Sequence, residues 1–452
     1  MNAGSTRVFQ LIGKHFLITG VLFCALTSTR LFAQDDAPKD VRYYTQQAVQ
    51  AYRAKDFAAY LSNMKQAQSL RPDHPTIMYN LAGAYALNGK KEEAIAWLGK
   101  VAGMGLIYPA ADDEDFASIK DLTEFQNVVK AFETNQAAVA HSKEAFSLDE
   151  KGLVTEGLAF DSLTETYYVS SIHKRKIVSV NKKGVARDFS DTTDGLWSAQ
   201  GIKVDERRRE LWVCTSALPQ MVNFNDSEKN RTGVFKYDLK TGKIIKKYFL
   251  PDATKGHAFG DLAIHTSGDV YVTDSVTPAI YVISRQKGTL ELYLGPETFA
   301  SPQGLDFSQD GKQMFVADYG RGIFVIDVKS RIARTIEHPL NISLLGIDGL
   351  YYFRGSLIVV QNGIRPHRIV RLYLNKPMDR IERSEVIEAN NPVFDEPTLG
   401  VIVKDEFYYI ANSQWESVND KGQLVSEDKL RKPLIMRTKL QTRRYNRRKL
   451  WP

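Results

Sequence analysis

The stretch QGLDFSQDGKQMFVADYG, Gln303 to Gly320, decides the fold, because five further segments of the chain share its pattern. In each copy a glycine opens a short apolar run, which a polar break separates from an alternating apolar strand. The other copies begin at Glu156, Gln200, Gly260, Asp348 and Leu399, so consecutive copies are about 44, 60, 43, 45 and 51 residues apart. A period of roughly 40–50 residues with four strands per unit is typical of a β-propeller. We therefore predict a mainly β protein with a six-bladed propeller over residues 144–440.

The segment EAFSL, Glu144 to Leu148, precedes the first blade and could supply an outer strand to the sixth. Such an exchange ties the two ends of the ring together and removes an open sheet edge. Function in a propeller usually lies where the blades meet. The residue before each glycine is therefore the first candidate for chemistry.

A second pattern, helical in period, covers residues 41–137. Ala82, Ala94 and Val101 repeat Ala48, Tyr60 and Ala67 at an offset of about 34 residues, and Met78 to Val101 resembles a tetratricopeptide repeat. A further helical segment from Asp113 is predicted to cap this pair of repeats. The helical region could present a groove to a protein partner, or it could be a structural appendage.

The formal charge of +7 is concentrated at the two ends of the chain. Three positive charges lie within residues 1–33 and five within the basic tail, residues 441–452. Without them the charge falls to −1, so the folded part gives no reason to expect nucleic acid. The three arginines Arg207 to Arg209 lie in a predicted turn and are interpreted as a solvated patch.

The N-terminal segment is predicted to be a signal peptide, residues 1–33, cleaved after Ala33. Its apolar run, Phe16 to Leu26, is too short to span a bilayer. Lipid attachment at Cys24 is an alternative, against which the bulky Phe23 argues. We expect a periplasmic or extracellular protein without a membrane span.

The region from Glu144 to about Leu440 resembles the six-bladed family of senescence marker protein, gluconolactonase and luciferin-regenerating enzyme. In that family a calcium or similar divalent ion sits on the central axis. The resemblance implies Glu156 and Asp348 as ligands, with Gln303 where the family usually has Asn. The blade-three position departs from the family, because it is Gly260, and the adjacent Asp261 would have to serve.

Oxygen donors from separate blades suit Ca²⁺, and converging carboxylates would repel one another without a cation. Alternatively, these residues are polar caps on strand starts that line a wet channel. In the hydrolytic relatives the metal polarises a lactone or phosphoryl oxygen, and the resemblance implies Asp348 as the catalytic carboxylate. His257 in KGHAFGD is a second catalytic candidate, as general base or substrate donor, or else a surface-loop histidine.

Two functions remain open from the sequence. The first is a secreted, calcium-dependent hydrolase of lactones or related esters, with a small-molecule substrate at the propeller axis. The second is a non-catalytic propeller that serves as scaffold or ligand sensor, with the helical repeats binding a protein partner. Gly260 has no side chain to serve as a ligand, and Gln303 replaces the Asn that is usual in the family; both favour the second function. The carboxylates of Glu156, Asp348 and Asp261 favour the first.

Overall fold

The structure is a computed structural model that describes residues 39–250 and 254–440. Within these residues are five α-helices and 24 β-strands. The chain divides between Ala137 and Ala138 into two compact units. The predicted signal peptide and the predicted basic tail lie outside the described residues. No helix among those described is long and apolar enough to cross a membrane.

The first unit is helical, as the 34-residue period predicts. Its α-helices are α1 (Val41–Arg53), α2 (Phe57–Leu70), α3 (Pro75–Leu87), α4 (Lys91–Gly103) and α5 (Thr123–Thr134). The small residues Ala67, Ala82 and Ala94 are fully buried, which lets the helices pack closely. The turn between α3 and α4 uses Gly89 at φ +72°, and Asn88 donates side-chain hydrogen bonds to the carbonyls of Phe57 (2.7 Å) and Ala84 (2.8 Å).

The segment after α4 is less regular than the sequence pattern predicts. Two 3₁₀ helices, Ala110–Asp112 and Glu114–Ile119, precede α5 where a third repeat would have an α-helix. Phe116 is buried against Tyr79 of α3, with ring centroids 5.5 Å apart. Asp115 accepts a hydrogen bond from Tyr52 (2.7 Å). The segment thus packs against the apolar face of α3.

The second unit is a ring of six four-stranded antiparallel sheets, which confirms the predicted blade count. Blade 1 comprises β2 (Thr155–Asp161), β3 (Thr166–Ser171), β4 (Lys176–Val180) and β5 (Ala186–Asp188). Blade 2 comprises β6 (Ser198–Asp205), β7 (Glu210–Ser216), β8 (Thr232–Asp238) and β9 (Ile244–Phe249). Blade 3 comprises β10 (Phe259–Ile264), β11 (Val270–Asp274), β12 (Ala279–Ile283) and β13 (Leu290–Leu294). Blade 4 comprises β14 (Pro302–Phe307), β15 (Gln313–Asp318), β16 (Gly322–Asp327) and β17 (Ala333–Thr335). Blade 5 comprises β18 (Ile347–Tyr352), β19 (Ser356–Gln361), β20 (Arg368–Leu374) and β21 (Ile381–Ala389). Blade 6 comprises β22 (Gly400–Val403), β23 (Glu406–Ile410), β24 (Leu434–Lys439) and β1 (Lys143–Ser147).

Blade 6 is completed from the start of the ring, as the position of EAFSL predicts. Strand β1 pairs antiparallel with β24, and Leu148 adds a hydrogen bond to the carbonyl of Pro433 (3.0 Å). Just before β1 the chain is fixed to blade 5, where Val139 and Ala389 exchange backbone hydrogen bonds of 2.8 and 3.0 Å. The closure therefore joins blades that are far apart in sequence, and it leaves β24 without an open edge.

The glycine of the repeated phrase is required by the close approach of neighbouring blades. The innermost strands β2, β6, β10, β14, β18 and β22 contact one another in cyclic order around the axis. A Cβ on Gly157 would lie 2.5 Å from the carbonyl oxygen of Gln200, and one on Gly304 would lie 2.5 Å from that of Asp348. At Gly157 and Gly304 any other residue would force the strands apart, whereas in blade 3 the equivalent position holds Asp261.

In blades 1 to 5 the phrase also carries a β-bulge. In blade 1 Thr155 faces Ser171 but Leu158 faces Val169, so one extra residue is inserted on β2. The same shift recurs on β6, β10, β14 and β18. A bulge re-aims the side chains around it, and here it does so next to the axis.

One interpretation from the sequence was wrong. The turn at Arg207 to Arg209 exists, between β6 and β7, but it is not merely solvated. Arg209 forms a bidentate pair with Asp161 of blade 1 at 2.5 and 2.6 Å, and Arg208 pairs with Asp205 at 2.8 Å. Arg209 links blades 1 and 2 because the buried carboxylate of Asp161 faces it, whereas the Arg208–Asp205 pair lies within blade 2.

Candidate functional site

One residue near the start of each innermost strand lies at the same level of the ring, and in blades 1 to 5 the bulge brings it there. These residues immediately precede the glycine of the phrase, whose place Asp261 takes in blade 3, and they are Glu156, Gln200, Gly260, Gln303, Asp348 and, just before β22, Leu399. We call this level the upper layer. Of the predicted site residues, Glu156, Gln303 and Asp348 belong to it.

Glu156 and Asp348 form the acidic centre of the upper layer. Glu156 is 9% exposed, and its Oε2 accepts a hydrogen bond from Trp415 Nε1 (2.9 Å). Burial, and next the negative charge of Asp348, raise the pKa of Glu156 well above its usual range, against the hydrogen bond from Trp415. The negative charges of the two carboxylates therefore repel each other strongly.

Asp348 accepts a hydrogen bond from Asn362 Nδ2 (2.8 Å), and Asn362 Oδ1 accepts one from the hydroxyl of Tyr319 (3.1 Å). Burial raises the pKa of Asp348 to about 7, although the bond from Asn362 lowers it. Asp348 is therefore poised to change protonation near neutral pH.

Glu396 is a third carboxylate in this environment, and the sequence pattern did not indicate it. Burial, followed by the charge of Asp348, raises the pKa of Glu396 to about 7. Its backbone is in the left-handed region at φ +57°, which is uncommon for a residue other than glycine. Glu396 lies in the loop before blade 6, where no periodicity exists from which its position could be predicted.

Asn362 and Tyr319 were also missed, although the repeat contains a signal for them. Each directly follows the second strand of its blade, β19 and β15 respectively, so the two positions are equivalent. A comparison of the residues that follow every second strand would have brought both into consideration.

Gln303 turns its amide group within the same layer. Its Nε2 donates to Ser301 Oγ (3.0 Å). Its Oε1 lies 3.5 Å from the place that a Cβ of Gly260 would take. The absence of a side chain at Gly260 therefore leaves room for this oxygen.

Asp261 lies beside a lysine in what we call the lower layer of the axis. The ammonium of Lys203 lies 3.2 Å from Asp261 Oδ1 and 5.2 Å from the ring centroid of Tyr351. Asp306 feels the charges of both Lys203 and Asp261. Burial raises the pKa of Asp261 and that of Asp306, the latter to about 6, while Lys203 lowers both.

His257 lies in a different part of blade 3. Its Nδ1 is 2.5 Å from Oδ2 of Asp274, a carboxylate that also accepts the backbone N–H of Ala258 (3.1 Å). His257 lines a cavity of about 280 Å³ together with Tyr281 and Leu292. The hydrogen bond holds the imidazole of His257 against the buried carboxylate of Asp274.

Two long loops meet at the rim next to Glu156. Residues 411–433 of blade 6 carry Trp415, and residues 217–231 belong to blade 2. Gln220 Nε2 donates to Asp420 Oδ1 (2.8 Å), which joins the two loops. Beneath them Val154 is buried at φ +47°, a strained conformation for a β-branched residue. This backbone strain directly precedes the segment that presents Glu156.

The upper layer offers oxygen donors that suit a hard divalent cation. Within residues 39–250 and 254–440, no three His, Cys, Asp or Glu side chains are grouped as a metal ion would require. An ion on Glu156 and Asp348 would therefore draw further oxygens from the amide of Gln303 and from water. Asp261 fits such an ion less well, because an ammonium group already lies against its Oδ1.

Comparison with known proteins finds one family model and several solved structures that are similar to this chain. The major royal jelly protein family matches residues 197–334, which is less than half of the chain. No curated protein matches the sequence. A gluconolactonase from Xanthomonas campestris is 14% identical over 67% of this chain and 97% of its own, with a TM-score of 0.45.

A luciferin-regenerating enzyme is 13% identical over 67% of this chain and 95% of its own, with a TM-score of 0.46. A calcium-binding regucalcin from Agrobacterium tumefaciens is 15% identical over 66% of this chain and 92% of its own, also with a TM-score of 0.46. The six-bladed fold that the resemblance implies is the fold observed in the second unit of the chain.

Proposed function

We propose that the upper layer of the axis binds a divalent cation, calcium in the first instance, and that the propeller hydrolyses a lactone or related ester there. The observation that carries this proposal is the pair of buried carboxylates, Glu156 and Asp348, each of which raises the electrostatic cost of ionising the other. A cation between them would remove that repulsion. It would be held by Glu156, Asp348 and the amide oxygen of Gln303.

When bound, the ion supplies a Lewis acid for the carbonyl oxygen of the substrate. We assign the proton transfer to Asp348 or Glu396, because both are buried carboxylates and the charge of Asp348 acts on Glu396. Water adds to the carbonyl carbon, the ester C–O bond breaks, and the leaving alkoxide takes the proton, so a lactone gives a hydroxy acid. His257, which is hydrogen-bonded to Asp274, is not required by this scheme.

The test is the metal content of the purified chain, with lactone hydrolysis measured with and without a chelator. Asp348→Asn should weaken calcium binding by roughly a hundredfold and abolish hydrolysis, because a charged ligand is lost. Asp405→Asn is the matched control, since the side chain of Asp405 is 62% exposed and its partner is the exposed Arg354 (2.7 Å). A wild-type protein that carries no ion at millimolar calcium would contradict the metal site.

A second candidate is a non-catalytic, ligand-binding propeller whose helical unit binds a protein partner. The observation in its favour is the pair Lys203–Asp261, in which an ammonium group already lies against the carboxylate that blade 3 would offer to a metal. This function predicts that the protein binds a small molecule, detected as a rise in melting temperature, without converting it. It also predicts the same thermal shift in the presence of a chelator.

We also propose export of the chain, with removal of residues 1–33, and a tetratricopeptide-like role for the helical unit. The period of the helices and the buried alanines of α2, α3 and α4 support that role. N-terminal sequencing of the mature protein tests the cleavage. A chain that begins at Met1 in the exported fraction would contradict it.

A further inference from the structure

We propose that Lys203 is a built-in counter-ion of the propeller axis, whose ammonium fills a second cation site centred on Asp261 in the lower layer, within electrostatic reach of Asp306. While the ammonium of Lys203 occupies this site, a metal ion cannot bind there. Removing the ammonium would open it to a divalent metal ion. This inference does not depend on whether the upper layer binds calcium.

The position of Lys203 in the repeat explains how it reaches the axis. Lys203, Asp306 and Tyr351 all lie three residues after the upper-layer residue of their blades. The equivalent residues of blades 1 and 3 are Ala159 and Ala263, which are 1% and 3% exposed. Small side chains in two blades leave room for the long ones from the others.

The surroundings of the ammonium are those of a cation site. Asp261 Oδ1 lies 3.2 Å from Lys203 Nζ, and the ring of Tyr351 faces the ammonium at 5.2 Å. The Tyr351 ring is fixed, because its hydroxyl accepts the backbone N–H of Gly400 (2.6 Å). Asp306 adds a second carboxylate within electrostatic reach of Lys203. One side chain of blade 2 thus interacts with blades 3, 4 and 5.

Asp261 has more acceptor capacity than the ammonium uses. It is 1% exposed, and its Oδ1 accepts both the ammonium and the backbone N–H of Leu262 (2.8 Å). Its Oδ2 is buried and has no hydrogen-bond partner among the residues that the structure describes. An unsatisfied buried carboxylate oxygen is costly, and a divalent ion could contact both oxygens of one carboxylate.

The experiment is carried out in the full chain with the upper layer disabled by Glu156→Gln and Asp348→Asn. In this background the melting temperature should be the same in chelator and in millimolar CaCl₂ or MgCl₂. Adding Lys203→Met should lower the melting temperature in chelator by roughly 5–10 °C, because two buried carboxylates lose their counter-charge. Calcium or magnesium should restore it, with one ion bound per chain by equilibrium dialysis.

Two further variants separate a cation site from a merely structural lysine. Lys203→Arg keeps the charge and should remain insensitive to metal. Lys203→Met combined with Asp261→Asn should lose the metal response, because the main ligand is gone. The proposal is overturned if Lys203→Met melts at the same temperature with and without metal and binds no ion. It is equally overturned if Lys203→Met fails to fold in both conditions while Lys203→Arg folds.

Discussion

At the scale of single residues, the buried carboxylates of the ring differ in what neutralises them. Asp161 has a bidentate arginine, Asp261 has a lysine, and Glu388 accepts the backbone N–H groups of His141 (2.9 Å) and Ser142 (2.7 Å). Glu156 and Asp348 instead accept hydrogen bonds from the neutral donors Trp415 and Asn362, and the charge of Asp348 acts on Glu156. A group whose pKa is perturbed by burial and by a like charge marks a functional site more often than a structural one.

The pair Arg209–Asp161 gives a prediction with an internal control. Asp161 is fully buried, so Arg209→Ala should lower the free energy of unfolding by roughly 3 kcal/mol, since an uncompensated charge remains in the protein. Lys182→Ala should change it by less than about 0.5 kcal/mol, because the Lys182–Glu165 pair is 3.8 Å apart and both side chains are more than 60% exposed. Urea denaturation of the two variants measures both values.

The pH dependence of the same pair has a definite sign. Although burial raises the pKa of Asp161, hydrogen bonds from Arg209 and Thr164 outweigh it and lower that pKa below its usual value. As the pH falls, Asp161 therefore becomes protonated at a higher pH in the unfolded chain than in the folded protein. The pair stabilises the fold fully above the unfolded pKa of about 4, and this stabilisation is lost as the pH falls below that value. Arg209→Ala should accordingly lose less stability on acidification than the wild type. An equal loss would show that Asp161 is not held ionised by Arg209.

The residues of the site were predictable only where the repeat fixes their register. Glu156 and Asp348 could be identified because each precedes the glycine of its phrase, a position that the close blade contact defines. Lys203 could not, because in QGIKVDERRRELW it reads as an ordinary polar residue of an alternating strand. The bulge at Gln200 shifts the alternation, and this insertion, invisible in one sequence, decides the direction of Lys203.

At the scale of elements, the innermost strands were more predictable than the loops that complete the site. The strands follow from glycine spacing and apolar alternation, both of which are local properties. Trp415 and Glu396 lie in loops that have no period, and their contacts with Glu156 and Asp348 depend on how blade 6 meets blades 1 and 5. Such contacts form only when the ring closes, so no single segment of the sequence contains a signal that predicts them.

The glycine of the phrase makes the contact between adjacent innermost strands testable. Gly304→Ala places a Cβ 2.5 Å from both the carbonyl oxygen of Asp348 and the backbone nitrogen of Leu350. Backbone atoms cannot move aside independently, so we expect a loss of about 3 kcal/mol or more in the free energy of unfolding. Gly295→Ala is the control, because nothing lies within 4 Å of its added Cβ and its effect should stay within about 1 kcal/mol. Equal effects for the two variants would contradict the close approach of β14 and β18.

At the scale of the whole molecule, ring closure depends on residues 138–148, which come before the first blade. Val139 fixes the chain to Ala389 of blade 5, and β1 then pairs with β24 of blade 6. Glu388 is fully buried and holds the chain between these two contacts through the N–H groups of His141 and Ser142. Blades 5, 6 and 1 are therefore joined by a segment that a boundary drawn at the first repeat would remove.

Two fragments without the helical unit test this closure directly. The fragment 138–440 keeps every contact of the closing segment, and we expect it to melt in one cooperative transition. The fragment 149–440 lacks β1, so β24 becomes an open edge and blade 6 keeps only three strands. Because an unpaired edge strand both loses packing and pairs readily with other chains, this fragment should melt at a lower temperature and aggregate at lower concentration. Scanning calorimetry and light scattering of the two fragments measure these effects. If both fragments melted alike and remained monomeric, the ring would be held closed by contacts between innermost strands alone, and β1 would be dispensable.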